Sequence, residues 1–390
     1  MKEVWSYNLP YSDSNTYADY EMPFIEHNGE LLFVSSNRSE ISLIALDSAT
    51  GEGKEHPLNN SVPIFPKLAF LDGFYGGVIV YTGDMFCYSN GAVTKIMELR
   101  QKGKVQSHII FDRFLYIVSV NDYRESELIC IDLDSFQIEW SQDVSSKPYI
   151  SGPVDCFEGK IVCFGRESLL LFDPTSGSVI DSLKIPRIGK LFCAVRLDDE
   201  HIALGYTNWS SAGIIKYNLI TNKVIWKNGR RFEGPLLRCK IFKKDNRLFW
   251  VKNDTELIGL NEDDGEEVFA VKTYPWLYTD LFFKNNKIIF GTAGNGGSIN
   301  CIQDDNGAEK WRIPTDYGVC YFGDYENSVI VSNIPKSEIT QIDIDSGNVI
   351  QTYDLCGEAI GRIKVFGHAF YTVVLNGKSN AASLVKFDLR

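Results

Sequence analysis

The sequence predicts an all-β fold assembled from one repeated four-stranded unit, and three observations predict it. A polar turn led by Asp, or by Ser, Asn or Gln in its place, recurs at Asp47, Ser89, Asp132, Asp173, Asn218, Asn261, Gln303, Asp343 and Asp388, at a spacing of about 43 residues. Upstream of each, a second short polar turn separates two apolar runs of strand length. No helical periodicity of useful length appears anywhere in the 390 residues.

The clearest copy is Glu127 to Trp140, ELICIDLDSFQIEW, an alternating apolar strand, a tight turn at Asp132 to Phe136, and a second strand that ends on Trp. A hairpin of this kind exposes an apolar face and needs like neighbours to cover it. Four places after the leading residue come Gly51, Gly177, Asn222, Gly265, Gly307 and Gly347, residue types that tolerate a left-handed backbone. Eight places after it come Trp140, Trp226 and Trp311, with Phe269 and Met97 as apolar substitutes. A bulky side chain at a fixed offset from a hairpin is suited to docking one unit on the next.

The upstream turns read as Asn28-Gly29, Asp72-Gly73, Asp112-Arg113, Glu158-Gly159, Asp199-Glu200, Asp245-Asn246, Asn285-Asn286, Glu326-Asn327 and Gly367-His368. Two hairpins per unit give four strands, the blade of a β-propeller. The last copy, Ser383 to Arg390, stops in mid-hairpin, and Val4 to Leu9 supplies its missing strand with Trp5 in the docking position. Pairing of the two chain ends therefore closes the ring, residues 1–390 form a single domain, and the count is nine blades. Eight is the alternative if the divergent copy at Ser89 is not a blade.

Composition narrows the function classes. The chain is 44% hydrophobic and 13% aromatic, enough for a large core, with no Pro-, Ser- or charge-rich linker. All apolar runs are of strand length, so neither a signal peptide nor a membrane span is expected, and the expected compartment is the cytoplasm. Nine Cys without a C-x-x-C point to free thiols in a reducing compartment rather than to disulfides. The five His show no ligand spacing with one another or with Cys, so no metal is expected. A formal charge of −12 disfavours nucleic acid and favours a basic partner. Acidic residues gather at Glu262 to Glu267 and at Asp304, Asp305 and Glu309, where Lys243, Lys244, Arg247, Lys284 and Lys287 are expected to pair with them.

Enzyme motifs are thin. Asn376-Gly377-Lys378-Ser379 ends like a phosphate loop but lacks its earlier Gly and a following helix, and Gly291 to Gly297 lies between two strands. No G-x-S-x-G or H-E-x-x-H occurs. The end of the blades opposite the Asp turns carries Tyr123, Arg124, Trp209, Arg230, Arg231, Phe232, Tyr274, Trp276, Tyr278 and Tyr317, the residue types that anchor protein interfaces. These ten are the expected partner-binding residues. Replacing Arg231 by Glu is expected to weaken partner binding more than about tenfold at unchanged thermal stability.

Ala45-x-Asp47-x-x-Thr50-Gly51, Asp343-x-x-x-Gly347, and Trp140, Trp226 and Trp311 at their offsets resemble the repeat of quinoprotein-type propellers, the pyrroloquinoline-quinone-like superfamily. The resemblance extends over essentially the whole chain, with the Trp lost in several copies. It implies the propeller fold. Family enzymes hold the quinone over a calcium ion and often use adjacent Cys, and no two Cys are adjacent here. Other members are non-catalytic scaffolds, one of them an outer-membrane assembly lipoprotein.

The favoured expectation is a non-catalytic, monomeric, cytosolic protein without cofactor that binds another protein through one face. In its sharper form it is an immunity-type protein covering a basic toxin. The alternatives are an enzyme or carbohydrate-binding lectin using the axial funnel, and a quinone-dependent dehydrogenase-like protein.

Overall fold

The computed structural model describes residues 2–9, 24–36, 41–58, 70–82, 84–98, 104–120, 126–144, 154–157, 159–164, 168–184, 190–207, 211–231, 239–273, 276–277, 279–315, 320–333, 338–355, 358–359, 363–376 and 381–390. It is an all-β propeller of nine four-stranded antiparallel blades, the first eight built from consecutive strands and the ninth completed by the N-terminal strand. Blades 1 to 9 begin with the strands Phe24–His27, Phe70–Phe74, Lys104–Phe111, Val154–Phe157, Lys190–Arg196, Cys239–Lys244, Trp276–Leu277, Cys320–Tyr325 and Glu358–Ala359. In blades 7 and 9 the first strand is broken, and Phe282–Lys284 and Lys364–Phe366 continue the pairing with the second strand. Among the described residues no helix is long and apolar enough to cross a membrane.

Two compact units make up the chain. One comprises Met1–Leu99, Tyr274–Gln303 and Ala308–Arg390, the other Arg100–Thr273 and Asp304–Gly307. In the first, Lys2–Asn8 pairs antiparallel with Ala381–Asp388, so the two ends of the chain share blade 9 as expected. The copy at Ser89 is a complete blade whose last hairpin turns on Asn90 and Gly91, both at positive φ, a two-residue turn matched to strand twist. Nine is therefore the count.

The middle strands are buried because their apolar side chains pack between blades, as where blade 3 meets blade 4 and blade 5 meets blade 6. Ile129, Cys130 and Ile131 in blade 3 and Leu257 and Ile258 in blade 6 are fully enclosed. Burial pushes the Cys130 thiol up to about 12, so it stays neutral and packs as a small apolar group. Six Cys, at 87, 130, 156, 163, 193 and 301, are free thiols.

The recurring Asp turn has one mechanism. Asp47, Asp132 and Asp173 each accept backbone N–H bonds at 2.7–3.0 Å from the residues two and three places on, and Asn218 does the same for Ile220 and Thr221. Hydrogen bonds from Thr50, Ser135, Ser176 and Ser346 hold Asp47, Asp132, Asp173 and Asp343 below the usual carboxylate range.

The docking residue works as the spacing implies. The Trp140, Trp226 and Trp311 indoles donate to the carbonyls of Pro174, Glu262 and Ile344 in the following blade at 2.9, 2.8 and 2.9 Å. Their rings lie on Gly177, Gly265 and Gly347, where a Cβ would come within about 2.5 Å of the ring. Gly is thus required there twice over, for a φ near +70° and for the indole seated on it. Trp5 covers Gly51 and Phe269 covers Gly307 in the same way.

One upstream turn differs from its reading. Asp72 and Gly73 lie inside the strand Phe70–Phe74, paired with Ile79 and Val78, and the chain reverses at Tyr75-Gly76. Gly77, at φ 147°, is the residue the reversal needs, since a Cβ there would meet the Tyr88 carbonyl oxygen at 2.3 Å.

The fourth strands carry a further regularity. In blades 2 to 9 the register to the third strand slips just before the docking position, which Asp181 and Gln351 fill in blades 4 and 8, leaving Ile96, Glu139, Ile180, Ile225, Val268, Lys310, Ile350 and Val4 as the extra residue of a β-bulge. Five of these, Ile180, Ile225, Val268, Ile350 and Val4, are among the exposed large apolar side chains.

Candidate functional site

The two hairpin turns of each blade lie at the same end, as the bonds between them show. Leu133 N donates to Arg113 O, Leu219 N to Glu200 O, Glu262 N to Asn246 O and Ile344 N to Asn327 O, at 2.8–3.1 Å. Many charges at this end are internally paired, as expected. Lys244 and Arg247 of blade 6 meet the buried Asp304 at 2.6 and 3.4 Å, and Lys243 reaches Glu262 at 3.3 Å. In the other unit Lys284 pairs with Asp324 and Lys287 with Asp345, joining blade 7 to blade 8.

Blades 3, 4 and 5 differ, because an open pocket of ≈ 430 Å³ lies at their turn end. The first strands of blades 3 and 4 run side by side there. Ile109 and Phe111, two apart on one strand, supply apolar wall, and Phe111 is 39% exposed. Asp155, Cys156 and Gly159 line it from blade 4, Arg196 and Asp199 from blade 5.

Arg196 is the post of the pocket. It donates to the Asp199 carboxylate at 2.7 Å, to Cys156 O at 3.2 Å and to Asp198 O at 3.3 Å, and its guanidinium lies over the Phe157 ring at 5.4 Å. Asp198 is spent on its own turn. Burial works to raise its carboxyl, but the N–H groups of Glu200 and His201 and the His201 imidazole outweigh that and hold it below the usual range. Asp155 accepts Cys156 N at 2.7 Å. Burial, then the Asp155 charge, raises the Cys156 thiol, which is a neutral wall atom rather than a nucleophile. Among the described residues no group of three or more His, Cys, Asp or Glu could hold a metal ion.

Of the ten residues expected to bind a partner, Tyr123, Arg124, Trp209, Phe232, Tyr274, Tyr278 and Tyr317 lie outside the described residues, and for Arg231 only the backbone, paired with Ser211, is described. Trp276 begins blade 7 and is 54% exposed. Arg230 is the penultimate residue of the fourth strand of blade 5, Lys223–Arg231, where it pairs with Glu256 at 3.2 Å and with Glu267, both of blade 6. Those bonds raise its pKa further and make it a cross-blade tie.

The pocket was missed in the sequence, although a signal existed. Phe111 and Arg196 are the last residues of the first strands of blades 3 and 5, one and three places before the leading acid of the upstream turn. The offset and the chemistry at these strand ends change from blade to blade, which is why no motif stood out.

No protein-family model and no curated protein matches the sequence. Solved structures do match in shape. The chain is similar to BamB from Moraxella catarrhalis, with a TM-score of 0.55, 13% identity, and coverage of 81% of this chain and 96% of that one. It is similar to the C-terminal WD40 domain of Sif2, with a TM-score of 0.53, 10% identity, and coverage of 99% and 98%. The computationally designed Ika8 protein gives a TM-score of 0.56 at 11% identity, covering both chains fully. At these identities the likeness defines the class, a β-propeller, and assigns no activity.

Proposed function

We propose that this chain is a non-catalytic protein-binding propeller whose partner is basic. The observation that carries this reading is the uneven use of its acidic residues at the turn end. Lysines and arginines consume them in blades 6 to 8, whereas at the open pocket of blades 3 to 5, with its exposed aromatic wall, Asp155 has no ion-pair partner among the described residues and the 87% exposed Asp199 shares only Arg196. A cleft of one charge sign raises the local concentration of oppositely charged partners and speeds their encounter. The net charge of −12 acts in the same direction at longer range.

In its sharper form the protein is of the immunity type, a cytosolic chain that covers the active surface of a basic toxin. Free thiols at six described positions suit a reducing compartment. The test is retention of a basic protein from the native organism on the immobilised chain. A stable complex whose affinity falls as salt rises from about 0.05 to 0.5 M is expected. Failure to retain any protein at low salt counts against the reading. If Arg231→Glu weakens the complex more than about tenfold at unchanged melting temperature, the opposite end of the blades joins the interface.

A further inference from the structure

We infer that the pocket of blades 3 to 5 is a seat for the guanidinium of an arginine side chain presented by that basic partner, a statement that rests on the reading above and gives it a contact point. Three features of the pocket favour a planar cation. Its wall of Ile109 and exposed Phe111 offers apolar surface to an alkyl stem and an aromatic neighbour to a delocalised cation. Its edge carries Asp155 and Asp199, carboxylates able to take the paired N–H groups of a guanidinium. Its volume, ≈ 430 Å³, is within the range of small-ligand sites and leaves room for a single side chain with water.

An anion is the competing occupant, and the geometry argues against it. Among the described residues Arg196 is the cation lining the pocket, and three of its five N–H groups donate to Asp199, Cys156 O and Asp198 O. Two N–H groups remain, and the Asp199 carboxylate bonded at 2.7 Å stands beside them and repels an anion. Arg113, in the turn after Phe111, is turned away to Asp132 at 3.2 Å and Asp134 at 3.8 Å. Among the described lining residues two carboxylates stand against one guanidinium, a net negative charge.

The experiment uses the full chain with its isoleucine methyl groups labelled for NMR, and three small probes: N-acetyl-arginine amide, N-acetyl-lysine amide and the neutral N-acetyl-norleucine amide. Saturable movement of the Ile109 methyl signal with the arginine probe is expected, with lysine several-fold weaker and norleucine silent. Asp199→Asn should weaken the arginine probe a few-fold, and Asp155→Asn with Asp199→Asn more than about tenfold. The remaining methyl signals serve as the check that each variant is folded. No movement of Ile109, an equal response to lysine or norleucine, or an unaltered response in the double variant overturns the assignment. Because no protein partner enters this measurement, it can fail while partner capture succeeds, and the reverse.

Discussion

Two turn regions built from the same hairpins use their acidic residues in opposite ways. Where blade 7 meets blade 8, Lys284 and Lys287 reach across to Asp324 and Asp345, and Asn285 bonds Asn327 at 2.6 Å, so the polar groups are spent on holding blades together. Among the described residues, the only ion pair spanning the pocket lining in blades 3 to 5 is Arg196 with Asp199, and Asp155 accepts a hydrogen bond only from the next N–H along its own chain. The first arrangement is glue and the second is an offered surface. Net charge alone cannot separate the two, since both contribute acidic residues to the same sum.

Measurements on single residues can break that contrast, and the largest effect belongs to neither class of charge. Trp226→Ala removes an indole that is 9% exposed and bonded to Glu262 O, so a loss of about 3–5 kcal/mol is expected in urea denaturation. A loss below about 1 kcal/mol would mean that the junction is held by something other than its ring. Asp304→Ala comes next. It strands Lys244 and Arg247 beside a carboxylate position that is 6% exposed, and about 2 kcal/mol should be lost.

Acid should reveal the turn carboxylates. Because the folded forms of Asp47, Asp132, Asp173 and Asp343 hold their protons less tightly than the unfolded chain does, their contribution is complete above the ordinary value of about 3.9. It disappears as pH falls below that value toward the lower folded ones. Melting temperature should therefore decline below about pH 4, and Asp173→Asn, which keeps the acceptor oxygen, should make the decline shallower. The smallest effect is Asp199→Asn. Its side chain is 87% exposed, so stability should change by no more than about 0.5 kcal/mol, and a larger loss would move Asp199 from the offered surface to the glue.

How far the sequence carried this picture depends on whether a residue acts within its own repeat. Asp132, its turn and Trp140 could be read together because the Asp bonds residues two and three places on, and the Trp repeats at a fixed distance. Nine blades followed from counting such turns, including the one at Ser89. Gly73 misled because glycine beside Asp imitates a turn, while the deciding contact, Gly77 against Tyr88 O, joins residues eleven places apart. The pocket was least legible of all. Ile109, Asp155 and Arg196 meet only after three hairpins have stacked, and nothing in any one hairpin marks its neighbour's chemistry.

The slipped register on the outer strands has an effect beyond each blade. A strand from another molecule that tried to add itself at the rim would need a straight row of N–H and C=O groups, and the doubled residue at Ile180, Ile225 or Val268 puts a step in that row. The exposed aliphatic side chain, which alone would invite a fibril, is thereby placed at the spot where an incoming ladder loses its match.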